Sequence, residues 1–191
     1  MPPVAGLLLA AGAGRRFGGP KALAELDGRP LVLRALGTLA AAGCGPIRVV
    51  LGAAAEQVRA LLPDPGQGVF AEGWESGMGA SLRAGLAALA QEAAPVAALV
   101  HLVDLPWVGA DILARVAADA TADTVARAAY DGVPGHPVLF GRRWWGEIAE
   151  TAQGDRGARD WLAGRPDLKL VECADLGSGR DVDHRADLPD Q

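Results

Sequence analysis

The chain has 191 residues, half of them hydrophobic and 21% charged, and carries a net charge of −5. That length suits one domain around one core, and the apolar content excludes a disordered chain. The acidic balance argues against a general electrostatic grip on DNA or RNA. No apolar run reaches the roughly 20 residues that span a bilayer, and no secretory leader is apparent, so a cytoplasmic protein is expected.

Residues 4–10 are a short apolar run that meets glycines at once, as a buried parallel strand feeding a turn does. A helical pattern over residues 31–42 stops at Gly43, and residues 47–51 read as a second buried strand. Val58, Leu61 and Leu62 suggest a short helix, residues 68–71 a weak strand, and residues 81–90 a helix with Leu82, Leu86 and Leu89 on one face. Residues 96–103 form a better-defined strand running into Asp104. Ile112, Leu113 and Val116 then give another helical stripe, and residues 124–128 a further strand.

This alternation predicts an α/β fold: a three-layer α/β/α Rossmann-like domain over residues 1–191, with a mostly parallel central sheet and ligands beyond the carboxyl ends of its strands. After residue 130 the pattern breaks into short strands, glycine turns and two short helices. Residues 130–165 therefore read as a subregion covering the crevice. Cys44 and Cys173 have no partner spacing and read as buried free thiols.

The segment LLLAAGAGRRFGGPKAL, residues 7–23, joins a strand to glycines, two arginines and a lysine. Glycines let main-chain N–H groups approach phosphate oxygens, and Arg15, Arg16 and Lys21 would offset several negative charges. A solvated surface loop is the other reading of the same composition. The dinucleotide pattern GxGxxG fails, because Phe17 stands at the third glycine and residues 47–51 are followed by Gly52 rather than an acid. The phosphate-loop pattern GxxxxGK[ST] fails too, since Ala22 follows Lys21.

In order, residues 9–21 resemble LAAGxGxRFGxxK, the signature of nucleotidyltransferases related to the molybdenum cofactor cytidylyl- and guanylyltransferases. The resemblance implies that Leu9, Ala10, Ala11, Gly12 and Gly14 hold a nucleotide, with Arg16 and Lys21 on its phosphates as catalytic groups. Ala11, at a position where guanylyl enzymes often carry glycine, implies CTP as the donor. HLVDLP, residues 101–106, is similar to the family's LxDxP, which makes Asp104 a catalytic residue and a ligand of Mg²⁺. Asp183, in RDVDHRADL, resembles the second metal acid, and Asp181 is a candidate to share that role. His184 and Arg185 depart from the Thr and Pro of that motif.

AEGWESGMGASLRAGL, residues 71–86, is similar to NPxWxxGMxxSLxxGL and implies Gly79 and Ser81 on the nucleotide side, with Ala71 in place of Asn. Ser81 would contact base or ribose, or cap the helix; Trp74 and Met78 fit either a pocket wall or the core. GHPVLF and GDRGAR resemble acceptor-facing segments, implying His136, Asp155, Arg156 and Arg159 as acceptor ligands. Trp144 and Trp145 read as packing or rim residues.

The reaction implied is attack by a phosphate of molybdopterin on the α-phosphorus of CTP, with pyrophosphate leaving. A molybdoenzyme or its maturation factor is an implied partner. No Ser/His/Asp or Cys/His set competes, and an ionised phosphate needs no general base. Three alternatives stay open: another small phosphate acceptor, a nicotinamide-dependent reductase on a related sheet, and a nucleotide-binding chaperone without turnover.

Overall fold

The computed structural model describes residues 3–189. In chain order the elements are β1 (Val4–Leu9), β2 (Glu25–Leu26), β3 (Arg29–Pro30), α1 (Leu31–Ala41), β4 (Ile47–Leu51), α2 (Ala55–Leu61), β5 (Gly68–Phe70), α3 (Met78–Ala90), β6 (Ala97–Leu102), α4 (Ala110–Ala117), β7 (Val125–Tyr130), β8 (Val133–Gly141), α5 (Trp145–Thr151), α6 (Arg159–Leu162) and β9 (Lys169–Glu172). A seven-stranded sheet runs in the order β5-β4-β1-β6-β8-β7-β9, and β2 and β3 form a small hairpin apart from it.

Of the five strands legible in the sequence, β1, β4, β6 and β7 are largely buried on both faces, every residue of β1 being buried, whereas β5 lies at the sheet edge with Phe70 exposed. Alternate residues serve opposite cores. Val4 and Leu8 pack with α1, α2 and α4 through Leu39, Val58 and Ile112, while Leu7 and Leu9 pack with α3 and α5 through Leu86 and Ile148. The result is a three-layer α/β/α arrangement around a mostly parallel sheet. The pairs β4/β5, β1/β4, β1/β6 and β7/β9 are parallel, whereas β8 runs antiparallel to β6 and β7.

The main departure from the sequence reading lies after residue 130. Instead of short covering strands, β8 is nine residues long and enters the sheet between β6 and β7, with Leu99 opposite Leu139. Gly135 and Pro137 interrupt its alternation, so the pattern is visible only once β6 stands beside it. β9 was also missed, because a four-residue edge strand with three exposed residues has little apolar signal. Helix α3 begins at Met78 rather than 81, capped by Gly77, so Ser81 lies inside the helix and is not its cap.

Both cysteines are free. Cys173 is buried, whereas Cys44 is only half-buried, and burial still pushes its thiol up to about 11. His101, in β6, is 1% exposed, and its Nδ1 is the one buried side-chain nitrogen or oxygen among the described residues that lacks a hydrogen-bond partner. No helix among the described residues is long and apolar enough to cross a membrane.

Candidate active site

Beyond the carboxyl ends of β1 and β6 lies a cavity of about 570 Å³. The glycine loop supplies Leu9, Ala11, Gly12, Gly14, Arg15, Arg16 and Lys21. The start of α3 and the turn before it add Gly77, Met78 and Ser81; the end of β6 adds Leu102, Val103 and Asp104; Asp155 and Asp183 close the rim.

The loop's shape follows from its glycines. Gly14 has φ of +63°, and a side chain there would collide with the Gly19 carbonyl oxygen. The Gly14 carbonyl accepts hydrogen bonds from the N–H groups of Gly18, at 2.8 Å, and Gly19, at 3.0 Å, closing the loop on itself. Among the described residues the N–H groups of residues 12–17 donate to no protein acceptor. They are available to an anion in the cavity.

Four charged side chains meet at the floor. Lys21 Nζ lies 2.9 Å from Asp104 Oδ2 and 3.7 Å from Asp183 Oδ1, with all three side chains about one-fifth exposed. Arg16 Nη1 lies 2.7 Å from Asp183 Oδ2 but is 75% exposed. Partly shielded pairs interact at an effective dielectric near 20, or about 4 kcal/mol gross at 4 Å, whereas exposed pairs contribute about 0–1 kcal/mol. Lys21 is thus the fixed cation, and Arg16 is free to change partners.

The tail residue Asp183 arrives there through backbone bonds. Val182, fully buried, donates its N–H to the Asp104 carbonyl at 2.9 Å, and the Asp187 carboxylate accepts from the N–H groups of Asp183 and His184. Arg185, the departure from the family's proline, stacks over Phe17 at 4.8 Å and ties the tail to the glycine loop. His184 lies beside Asp183, with Nε2 at 3.5 Å from Oδ2.

Two cations balancing two carboxylates would resist a polyanion alone, which has to displace the acids. A polyanion accompanied by a divalent cation would meet no such conflict, since Asp104 and Asp183 would hold the cation and Lys21 and Arg16 would be released to the phosphates. The donors are oxygens only, and the described residues contain no cluster of three or more His, Cys, Asp or Glu able to hold a metal. That set fits a hard ion such as Mg²⁺, which uses one or two carboxylates and completes its octahedron with water and phosphate oxygens.

A smaller cavity of about 120 Å³ adjoins the first and shares Leu9, Met78 and Asp155 with it. His136, Asp155, Arg156 and Arg159 all line it, over apolar walls that include Leu82, Val138, Phe140 and Leu162. Burial, then the charge of Arg127 and the nearby His101, push the His136 imidazole down to about 3, so it is neutral near pH 7.

Several expected positions fall elsewhere. Ala10 and Gly79 do not line the cavity: Ala10 is a core residue whose N–H bonds to Val50, and Gly79 lets α3 lie against Gln153, whose N would be 2.8 Å from an added side chain. Their smallness serves packing. Asp181 is exposed and lines neither cavity, which leaves Asp183 as the tail's inward acid. Ala71 is fully buried in the apolar core. Trp74 packs on that core, while Met78 walls both cavities. Arg156 lines the smaller cavity yet pairs with Asp160 at 3.0 Å on the surface. Arg127, which lines the same cavity, was missed because a lone arginine in the strand VARAAY carries no motif.

The chain is 39% identical over 194 residues to nicotine blue oxidoreductase of Paenarthrobacter nicotinovorans, covering 96% of this chain and 93% of that protein. The crystal structure of Rv0371c from Mycobacterium tuberculosis superposes with a TM-score of 0.80 at 29% identity, covering 97% and 95% of the two chains. A structure of Rv0371C in complex with manganese superposes at 0.72, with 27% identity and 89% and 88% coverage. The glycine loop and the strand that leads to Asp104 both fall within residues 6–171, which match the MobA-like NTP transferase domain, and the chain belongs to that family.

Proposed function

We propose that this chain is a Mg²⁺-dependent nucleotidyltransferase that moves CMP from CTP to a small phosphorylated acceptor, for which the sequence motifs favour molybdopterin. The observation that carries the reading is Lys21 held between Asp104 and Asp183 beneath a loop of unpartnered N–H groups. The manganese complex of a 27% identical relative supports a divalent ion in this family.

In the proposed reaction an oxygen of the acceptor phosphate bonds to the α-phosphorus of CTP while the α–β bridging P–O bond breaks and pyrophosphate leaves. Lys21, Arg16 and the loop N–H groups bind and orient the triphosphate. Asp104 and Asp183 would hold the cation, which supplies neutralisation of phosphate charge. Gly77, Met78 and Ser81 wall the side where base and ribose fit. The acceptor enters from the smaller cavity lined by His136, Asp155, Arg156 and Arg159. No side chain has to remove a proton, so catalysis is positioning and charge compensation.

A thermal-shift series with CTP, GTP, ATP, UTP and NADPH, each with and without Mg²⁺, tests this. At one hundred times Kd, ligand binding adds about 2.7 kcal/mol, or roughly 5–10 °C for a domain of this size. The shift is expected with CTP and only in the presence of Mg²⁺, followed by pyrophosphate release when molybdopterin is added. One observation favours a second reading: the relative at 39% identity is named an oxidoreductase. A shift with NADPH alone, independent of Mg²⁺, would replace the transferase reading by that one.

Gly14→Ala probes the loop itself. Left-handed backbone costs a residue with a side chain about 1–2 kcal/mol, and relief of the collision with Gly19 has to open the loop. CTP affinity by calorimetry is expected to fall at least about tenfold, equivalent to about 1.4 kcal/mol. Unchanged affinity would mean that this turn does not hold the nucleotide.

A further inference from the structure

We infer that a second ligand site lies in the groove between α1 and α4, on the face of the sheet that those helices cover, and that Arg29, Arg34 and His101 bind there the oxyanion group, phosphate or carboxylate, of a small organic molecule. The groove holds a cavity of about 350 Å³ that shares only Val103 with the nucleotide cavity and no residue with the smaller one. It does not depend on the nucleotidyl-transfer reading.

His101 is the first sign of an occupant. It shares its face of β6 with Ala97, Leu99 and Val103, all in the apolar core, yet neither ring nitrogen has a hydrogen-bond partner among the described residues. Buried polar groups are nearly always paired, so one left bare beside a cavity marks the place of a water, an ion or a ligand. Burial pushes the imidazole down to about 4, so near pH 7 it is neutral and offers one N–H to a ligand oxygen. With Nδ1 wholly buried, Nε2 is the nitrogen left to meet that ligand.

The two arginines are placed by different means. Gly37 stands inside α1, where glycine costs stability relative to alanine, and the Arg29 guanidinium lies 3.4 Å from where a Cβ would be. Arg29 thus rests against the helix at the cavity wall, with no carboxylate within salt-bridge distance among the described residues. Arg34 is anchored by a hydrogen bond from Nη1 to the Leu26 carbonyl at 3.3 Å. Its carboxylate partner, Asp27 at 3.5 Å, is 75% exposed, and so weak a pair yields to a better-placed anion.

No aspartate or glutamate lines the cavity. The nearby acids stand outside it: Glu25 and Asp27 on the β2–β3 hairpin, and Asp111 in the first turn of α4, where its Oδ1 accepts from the Ile112 N–H. The charge facing the space is therefore that of two guanidiniums, one of them partly offset by Asp27, in a chain whose net charge is −5. Guanidinium N–H groups match the oxygens of a phosphate or carboxylate, and His101 adds a donor from the sheet side. Thr38 adds none, because its hydroxyl already donates to the Arg34 carbonyl at 3.0 Å. The volume lies at the small end of ligand pockets, roughly 300–1,000 Å³, and Leu105, Pro106 and Ala110 give an organic body an apolar wall.

The test titrates inorganic phosphate and, separately, acetate into the whole chain while the rings of its three histidines are followed by NMR. Each histidine reports a different place: His101 this groove, His136 the smaller cavity, and His184 the carboxylate of Asp183. At least one of the two anions is expected to shift His101 to saturation, and the tighter binder names the head group. Arg29→Gln and Arg34→Gln should each weaken the His101 response at least about tenfold, as loss of a charged hydrogen-bond donor does, and leave the responses of His136 and His184 as in the wild type. Arg34→Lys should recover part of the response. Arg29 is exposed, so Arg29→Gln keeps the test informative if Arg34→Gln fails to fold. The inference is overturned if neither anion moves His101, or if both glutamine variants respond as the wild type does, which would trace the shift to the other cavities. CTP with Mg²⁺ is titrated separately, and its failure to bind would defeat the nucleotidyl-transfer reading while leaving this result standing.

Discussion

Asp104→Asn is expected to lower kcat/KM for pyrophosphate release by on the order of a thousandfold, about 4 kcal/mol of transition-state stabilisation. The side chain is about one-fifth exposed at the end of β6, and asparagine keeps its shape, so the fold should tolerate the change. What is lost is one of the two carboxylates that flank Lys21, and the closer one, since the remaining partner Asp183 lies at 3.7 Å. The Mg²⁺ concentration for half-maximal activity should rise as well. Asp181→Asn is the matched control, since that acid is exposed and outside both cavities, and its activity should stay within twofold. Turnover by Asp104→Asn within tenfold of wild type would remove Asp104 from the chemistry.

The second large effect is acid lability from His101. In the unfolded chain its imidazole takes a proton below the ordinary 6.5, whereas burial in β6 lowers that value to about 4 in the folded state. Between those values the unfolded chain binds more protons, so stability falls as pH falls. The slope approaches 1.4 kcal/mol per pH unit, and the loss is about 3 kcal/mol by pH 4, a large share of a typical domain's stability. The neutral ring already has an unpartnered Nδ1 in an apolar strand. Urea midpoints measured from pH 7 to pH 4 should therefore fall steeply in the wild type and less in His101→Leu, in which the buried His136 still contributes a fall, and His101→Leu should be no less stable than wild type at pH 7. Parallel pH profiles for the two proteins would show that His101 is not the group responsible.

How much was legible in advance differs by element. Strands β1, β4 and β6 and helices α1, α3 and α4 carry their own apolar runs or stripes, so their existence and the layered fold follow from local periodicity. The ends of β4 fall where the sequence put them and the others moved by at most three residues, as at α3, where Gly77 and not Ser81 sets the start. The glycine loop was recognisable for the same reason: its shape is written in adjacent residues, and Gly14 shows it in a positive φ.

By itself, then, the amino-acid order determined which segments are buried and where a loop of small residues and cations follows a strand, because both depend on neighbours along the chain. Only the tertiary structure decided that β8 lies between β6 and β7, that Lys21 meets Asp104 across 83 residues, and that Asp183 is drawn in from the tail while Asp181 is turned out. It also brought Arg127 to Arg159 and His136. Those juxtapositions arise from strand pairing and backbone hydrogen bonds between distant segments, and their energy has no counterpart in any short stretch of sequence.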